Sequence, residues 1–157
     1  MSVPAQPAGY HTVTPYLMIR GAAEAIAFYK EAFGAVEVVR IPGPGGSIGH
    51  AELKMGDSIV MIADEHPGMV HAGPQTLGGT SVSMLLYDPD VDARFAHATA
   101  VGASVLRPVA DQFYGDRTGT LRDPFGHEWT IATHQKDVSH EEMRRIVAAM
   151  AKPDAGA

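Results

Sequence analysis

The stretch "YLMIRGAAEAIAFYKEAFGAVEV" (16–38) can be laid over "MLLYDPDVDARFAHATAVGASVL" (84–106). Leu17 then meets Leu85, Ala25 meets Ala93, Ala32 meets Ala100, and Gly34–Ala35 meets Gly102–Ala103. Farther along, "GHAELKMGDSIVMIAD" (49–64) and "GTLRDPFGHEWTIATH" (119–134) both read strand, turn, strand, with their glycines in step. Self-similarity of this kind marks one supersecondary unit used twice.

Each unit reads in the same order. An alternating strand comes first, with Val13, Leu17 and Ile19 on one face and Val82, Met84 and Leu86 in the second unit. A helix follows, carrying Ala22, Ile26, Tyr29 and Phe33 at helical spacing, and Val91, Phe95 and Ala98 in the second unit. Gly34 and Gly102 stand where a helix C-terminus favours positive φ. Three strands complete each unit, near 36–41, 50–55 and 58–64, and near 104–109, 118–122 and 128–134. The expected fold class is therefore α+β, two tandem βαβββ modules in a single domain spanning 1–157. Module one covers about 12–64, a linker 65–79, and module two about 80–134. A C-terminal amphipathic helix is predicted over about 139–151. Ser139 and Glu142 form its capping box, and Met143, Ile146, Val147 and Met150 its apolar stripe.

Composition removes several classes of function. With 157 residues, 45% hydrophobic and 19% charged, the chain is an ordinary globular domain. It has no cysteine, which excludes disulfides, thiolate metal sites and cysteine nucleophiles. A net charge of −6 without a Lys/Arg stripe argues against nucleic acid as a partner and leaves room for a cationic ligand. No apolar window is long enough to cross a bilayer, and "MSVPAQPAGYH" lacks the regions of a signal peptide. A cytoplasmic protein with no membrane partner is expected. "GPGGSIG" lies between two strands, so it is not a phosphate loop, and no G-x-S-x-G nucleophile motif is present.

Tandem βαβββ units with "AIAFYKEAFGA" early and "DPFGHEW" late resemble the vicinal-oxygen-chelate superfamily, the fold of glyoxalase I, extradiol dioxygenases and bleomycin-resistance proteins. "TPYLMIRGAAEAIAFYKEAFGA", "GHAELKMGDSIVMIAD", "FYGDRTGTLRDPFGHEWTIATH" and "DVSHEEM" together look like its PhnB-like branch, over about residues 12 to 150. The resemblance implies an open concave sheet with helices on its convex side, and commonly a homodimer. Metal-dependent members place His or Glu on the first and last strand of each module, facing the cleft. Carried over, those positions fall on Thr14, Val60, Ser83 and Thr130. None is an imidazole or carboxylate donor, so no metal and no cofactor is expected.

Alternation assigns the two faces of the strands. Leu17, Ile19, Ile59, Met61, Met84, Leu86, Trp129 and Ile131 are expected to pack on the helices. The opposite, cleft-lining face is expected to carry Thr14, Tyr16, Met18, Val60, Ile62, Ser83, Leu85, Thr130 and, on the same reasoning, Arg122. His50 and Glu52 fall on the cleft side if Ala51, Leu53 and Met55 pack inward. They are the candidate acid–base couple, with Glu52 orienting His50. Tyr114 is a further candidate at the "FYGDR" turn. The reading is a small-molecule binding protein that holds a partly apolar ligand, neutral or cationic, in a metal-free cleft. The alternative is an enzyme of the same superfamily that uses His50 and Glu52 for proton transfer or in a non-standard metal site.

Overall fold

The computed structural model describes residues 3–151; residues 1–2 and 152–157 of the expected domain lie outside the described residues. Module one consists of β1 (Tyr16–Ile19), α1 (Ala22–Phe33), β2 (Val36–Pro42), β3 (Ile48–Met55) and β4 (Ser58–Asp64). A linker with one short helical turn, α2 (Pro74–Leu77), follows. Module two is β5 (Ser83–Tyr87), α3 (Val91–Ala100), β6 (Ser104–Asp111), β7 (Asp116–Arg122) and β8 (Glu128–His134), and α4 (His140–Met150) is the last element among the described residues. Each module forms its own four-stranded sheet, ordered β1-β4-β3-β2 and β5-β8-β7-β6. The first and last strands of a module pair in parallel and the remaining pairs are antiparallel. The tandem βαβββ reading holds.

Local chemistry explains the element ends. Gly21 at the start of α1 has no side chain to cap the helix, so Asp64 reaches across from β4. Its Oδ1 accepts from Gly21 N at 3.1 Å and Ala22 N at 2.8 Å, and its Oδ2 accepts from Ile48 N at 2.7 Å. Helix α1 ends at Gly34, whose φ of 68° is the left-handed conformation expected there. Asp90 caps α3 by accepting from Ala93 N at 3.0 Å, and Ser139 caps α4 by accepting from Glu142 N at 3.2 Å.

The helix-bearing sides of both modules meet in one core. Helix α1 packs on α3, and its Tyr29 and Phe33 rings lie 5.3 and 4.8 Å from Trp129 of β8. Beneath them Asp123, in the β7–β8 turn, is buried. Its Oδ2 accepts from Tyr29 Oη at 2.6 Å and Trp129 Nε1 at 2.9 Å, and its Oδ1 accepts from the backbone of Phe125 and His127, each at 2.9 Å. Burial, reinforced by the Asp123 charge, holds the Tyr29 phenol well above its ordinary range, so it remains a donor.

Register corrects one face. Residues paired across a sheet share a side. Ile62 pairs with Ala51 and Leu17, and Val60 pairs with Leu53, so Val60 and Ile62 belong to the core. Met61 instead pairs with Glu52 and Tyr16, and Ile59 with Lys54, on the helix-free side. Both β4 expectations are thus reversed, and turn length is the reason. Met55 pairs with Ser58 around the two-residue turn Gly56–Asp57, whereas Arg122 pairs with Glu128 around the five residues 123–127. Counting forward from each turn glycine therefore slips by one residue, and a slip of one flips every side chain. In module two the expected faces are found: Trp129 and Ile131 are in the core, while Leu85 and Thr130 pair on the helix-free side.

Candidate functional site

Three short strands bring the polar candidates of module one together. Tyr16 of β1, His50 and Glu52 of β3, and Met61 of β4 share the helix-free face, because Tyr16 and Glu52 both register with Met61. The hydrogen bonds form a chain. Tyr16 Oη lies 2.8 Å from His50 Nδ1, and His50 Nε2 lies 3.1 Å from Glu52 Oε1. Glu52 Oε2 accepts from the phenol of Tyr10. These bonds, Tyr10 first and His50 second, hold the Glu52 carboxyl below its usual range, so it is ionised at neutral pH. An ionised carboxylate only accepts, which places the imidazole proton on Nε2 and leaves Nδ1 to accept from Tyr16. Desolvation, then the Glu52 charge, pushes the Tyr16 phenol up, so it stays neutral while 47% exposed. The result is an oriented phenol presented to solvent on a charged, largely buried base.

Around this chain lie two openings. Thr14, Glu52 and Met61 line an open pocket of about 590 Å³ with Pro7, Tyr10 and His11. Met18 follows Tyr16 on the same strand face but is buried, because the linker crosses it. Met18 and Tyr16 line a pocket of about 400 Å³ with His71, Ser81 and His127. The linker is pinned there by Glu65, which accepts from Gly73 N at 2.7 Å and Arg20 Nε at 2.9 Å. Burial lowers the His127 pKa, and its Nε2 lies 3.4 Å from the Met18 carbonyl, linking the two modules.

The helix-free face of module two is built differently. Ser83 and Leu85 of β5 register with Glu128 and Thr130 of β8, and Thr130 Oγ1 lies 3.0 Å from Thr120 Oγ1. Arg122 donates to Glu128 at 2.8 Å rather than to His50 or Glu52. At the far end of this sheet His134 sits between Asp116 (Nδ1 to Oδ1, 2.6 Å) and Asp137 (Nε2 to Oδ1, 3.1 Å), and Tyr87 donates to Asp116 at 3.2 Å. The Asp116 bond, then Asp137, raises the His134 pKa. Tyr114 lies in the turn before β7, edge-on to Phe113 at 5.3 Å and near enough to Tyr87 to help hold that phenol up.

Thr14, Tyr16, His50 and Glu52 are thus brought together; Ser83, Leu85, Arg122 and Thr130 share the other module's face; and Val60 and Ile62 are in the core. Sequence reading missed Tyr10 and Met61, and the Asp116 partner of His134. Parity along β7 would have found Asp116, two residues before Thr118; nothing local announces Tyr10. The positions where metal-dependent relatives carry ligands become Thr14, Met61, Ser83 and Thr130. Hydroxyls and a thioether do not fit a divalent transition metal. Among the described residues no group of three or more His, Asp or Glu side chains converges as a metal site.

Residues 10–131 match the family model described as the Glyoxalase/Bleomycin resistance protein/Dioxygenase superfamily. An uncharacterized protein of Mycobacterium bovis is 40% identical over 152 residues, covering 95% of this chain and 97% of its own length. Among solved structures, TioX from a Micromonospora species superposes with a TM-score of 0.62 at 28% identity, over 79% of this chain and 98% of TioX. A Pseudomonas aeruginosa protein gives a TM-score of 0.65 at 26% identity, over 80% of this chain and 99% of that one.

Proposed function

The chain belongs to the glyoxalase/bleomycin resistance protein/dioxygenase superfamily, and from that premise we propose that it is a binding protein of the PhnB-like branch. It holds a small, partly apolar molecule on the helix-free face of module one. One observation carries this reading: both ring nitrogens of His50 are already committed, Nδ1 to Tyr16 and Nε2 to Glu52. A general base needs a free nitrogen and a pKa near the working pH. Tyr16, the group at the open end of the chain, is shifted away from that range. What the chain offers a ligand is an oriented hydroxyl, an ionised carboxylate and the thioether of Met61, the mixed lining that fixes a bound molecule. Protein observed by amide NMR during titration with a panel of aromatic drugs and cationic glycopeptides should show shifts at Tyr16, His50 and Met61. His50→Ala removes the bonds that orient Tyr16 and Glu52 and should weaken that binding about tenfold, an effect the size of one hydrogen bond to a charged group. A panel in which nothing shifts those amides would remove the reading. The second reading, proton transfer by His50 and Glu52, is favoured by their 3.1 Å contact. It gains if turnover disappears in His50→Ala while ligand affinity is kept.

We also propose a cytoplasmic homodimer. No helix among the described residues is long and apolar enough to cross a membrane. Leu85 and Tyr87 are 53% and 63% exposed on the face of module two, and α4 buries none of its residues although its stripe is apolar. Exposed apolar surface of that extent calls for a cover. Light scattering across the micromolar range should report twice the 16.6 kDa chain mass; a single species at the chain mass would refute the dimer.

A further inference from the structure

Residues 3–15 have no regular secondary structure and run over the helix-free face of module one. Few contacts hold this strap. His11 Nε2 lies 3.0 Å from the Asp57 carbonyl, Thr14 Oγ1 donates to the His11 carbonyl at 3.2 Å, and residues 3–9 are exposed. At its end the strap is tied to β4, where the Pro15 carbonyl accepts from Met61 N at 2.9 Å; its side-chain contact into the candidate site is Tyr10, whose phenol donates to Glu52 Oε2, the carboxylate oxygen that His50 does not use. Glu52 is only 7% exposed, so its two oxygens depend on donors supplied from within the protein. Beside Tyr10 the pocket of about 590 Å³ is flanked by the Met61 thioether and Pro7. The chain has thus laid an aromatic hydroxyl of its own, on a loosely held segment, against the one charged acceptor of the candidate site.

We propose that Tyr10 holds the place of a ligand's aromatic hydroxyl: the module-one site takes phenolic compounds, whose O–H displaces Tyr10 from Glu52. This rests on the reading that the face binds a small molecule, and it names the class of that molecule. A phenol replaces the departing donor like for like and brings no ammonium charge to desolvate. Its ring gains a sulfur–aromatic contact with Met61. Because strap and ligand compete for one acceptor, apparent affinity is reduced by the fraction of molecules in which the strap is on.

Two probes of equal ring size, 2-naphthol and naphthalene, separate the possibilities in the full chain, with affinities and amide shifts measured by NMR. Tyr10→Phe removes the competing hydroxyl while keeping its ring. It should tighten 2-naphthol roughly tenfold and leave naphthalene within about twofold. Glu52→Ala should abolish the difference between the probes. Affinity for 2-naphthol that is unchanged or weaker in Tyr10→Phe, with Tyr16, His50 and Met61 amides still shifting, overturns the strap and leaves the binding site standing. Equal affinity for both probes in wild type and Tyr10→Phe overturns the phenolic class in the same way. No shift at those amides with either probe in any variant overturns the binding site itself and the inference with it.

Discussion

Asp123→Ala should cost about 3–5 kcal/mol of folding stability, more than any ligand-site substitution considered above. The carboxylate is buried and receives four donors at 2.6–2.9 Å: the Tyr29 hydroxyl, the Trp129 indole N–H and the amides of Phe125 and His127. Alanine leaves those donors facing a hole between α1 and β8, and Tyr29, Trp129 and His127 are all buried. Each unpaired buried donor costs about 1–3 kcal/mol, though the costs are not additive. Asp123→Asn keeps one acceptor oxygen for the two backbone amides, and the Tyr29 hydroxyl can turn to accept from the new amide N–H; only the Trp129 indole N–H then faces another donor, so a loss of about 1–3 kcal/mol, smaller than that of alanine, is expected. Urea unfolding of the three proteins tests the ordering. Alanine within about 1 kcal/mol of wild type would show that this carboxylate does not tie the two modules together.

Gly115→Ala should be nearly as damaging, about 3 kcal/mol or more, for a different reason. Gly115 has a φ of 103°, outside the range of L side chains, and an added Cβ would lie 2.0 Å from the backbone carbonyl oxygen of Lys136. The backbone conformation alone costs about 1–2 kcal/mol. Relief of the clash adds roughly 1–3 kcal/mol because a main-chain atom must move. The Gly115 carbonyl accepts from Gln135 N at 3.0 Å and Lys136 N at 3.1 Å, so the displaced segment is the one leading from His134 to Asp137. The variant should therefore also bring the raised His134 pKa back toward its ordinary value, because Asp116 and Asp137 no longer bracket the ring. Calorimetry and an NMR titration of His134 would check both parts. An unchanged His134 titration in a destabilised protein would separate the backbone clash from the cluster.

Much of this molecule was legible in advance because its signals are local. The strand at 58–64, the helix beginning at Ala22 and the C-cap at Gly34 follow from periodicity and from glycine's tolerance of positive φ. Trp129 and Ile131 could be assigned to the core from β8 alone. Val60 and Ile62 could not, because the direction a strand's side chains face depends on how many residues its turn consumes, and the two hairpins differ. The pairing of Leu17 with Leu85 fails for a similar reason: Leu17 is in the core, whereas Leu85 is half exposed on the opposite face.

Residue types and their spacing alone determined the two βαβββ modules and the closeness of His50 to Glu52, because neighbours two apart on a strand must share a side. Only the tertiary structure decided what those side chains meet. Tyr10 reaches Glu52 across 42 residues of chain, and Tyr29 reaches Asp123 across 94. Contacts at such separations arise when packed elements bring distant chain segments together, and no local period records them.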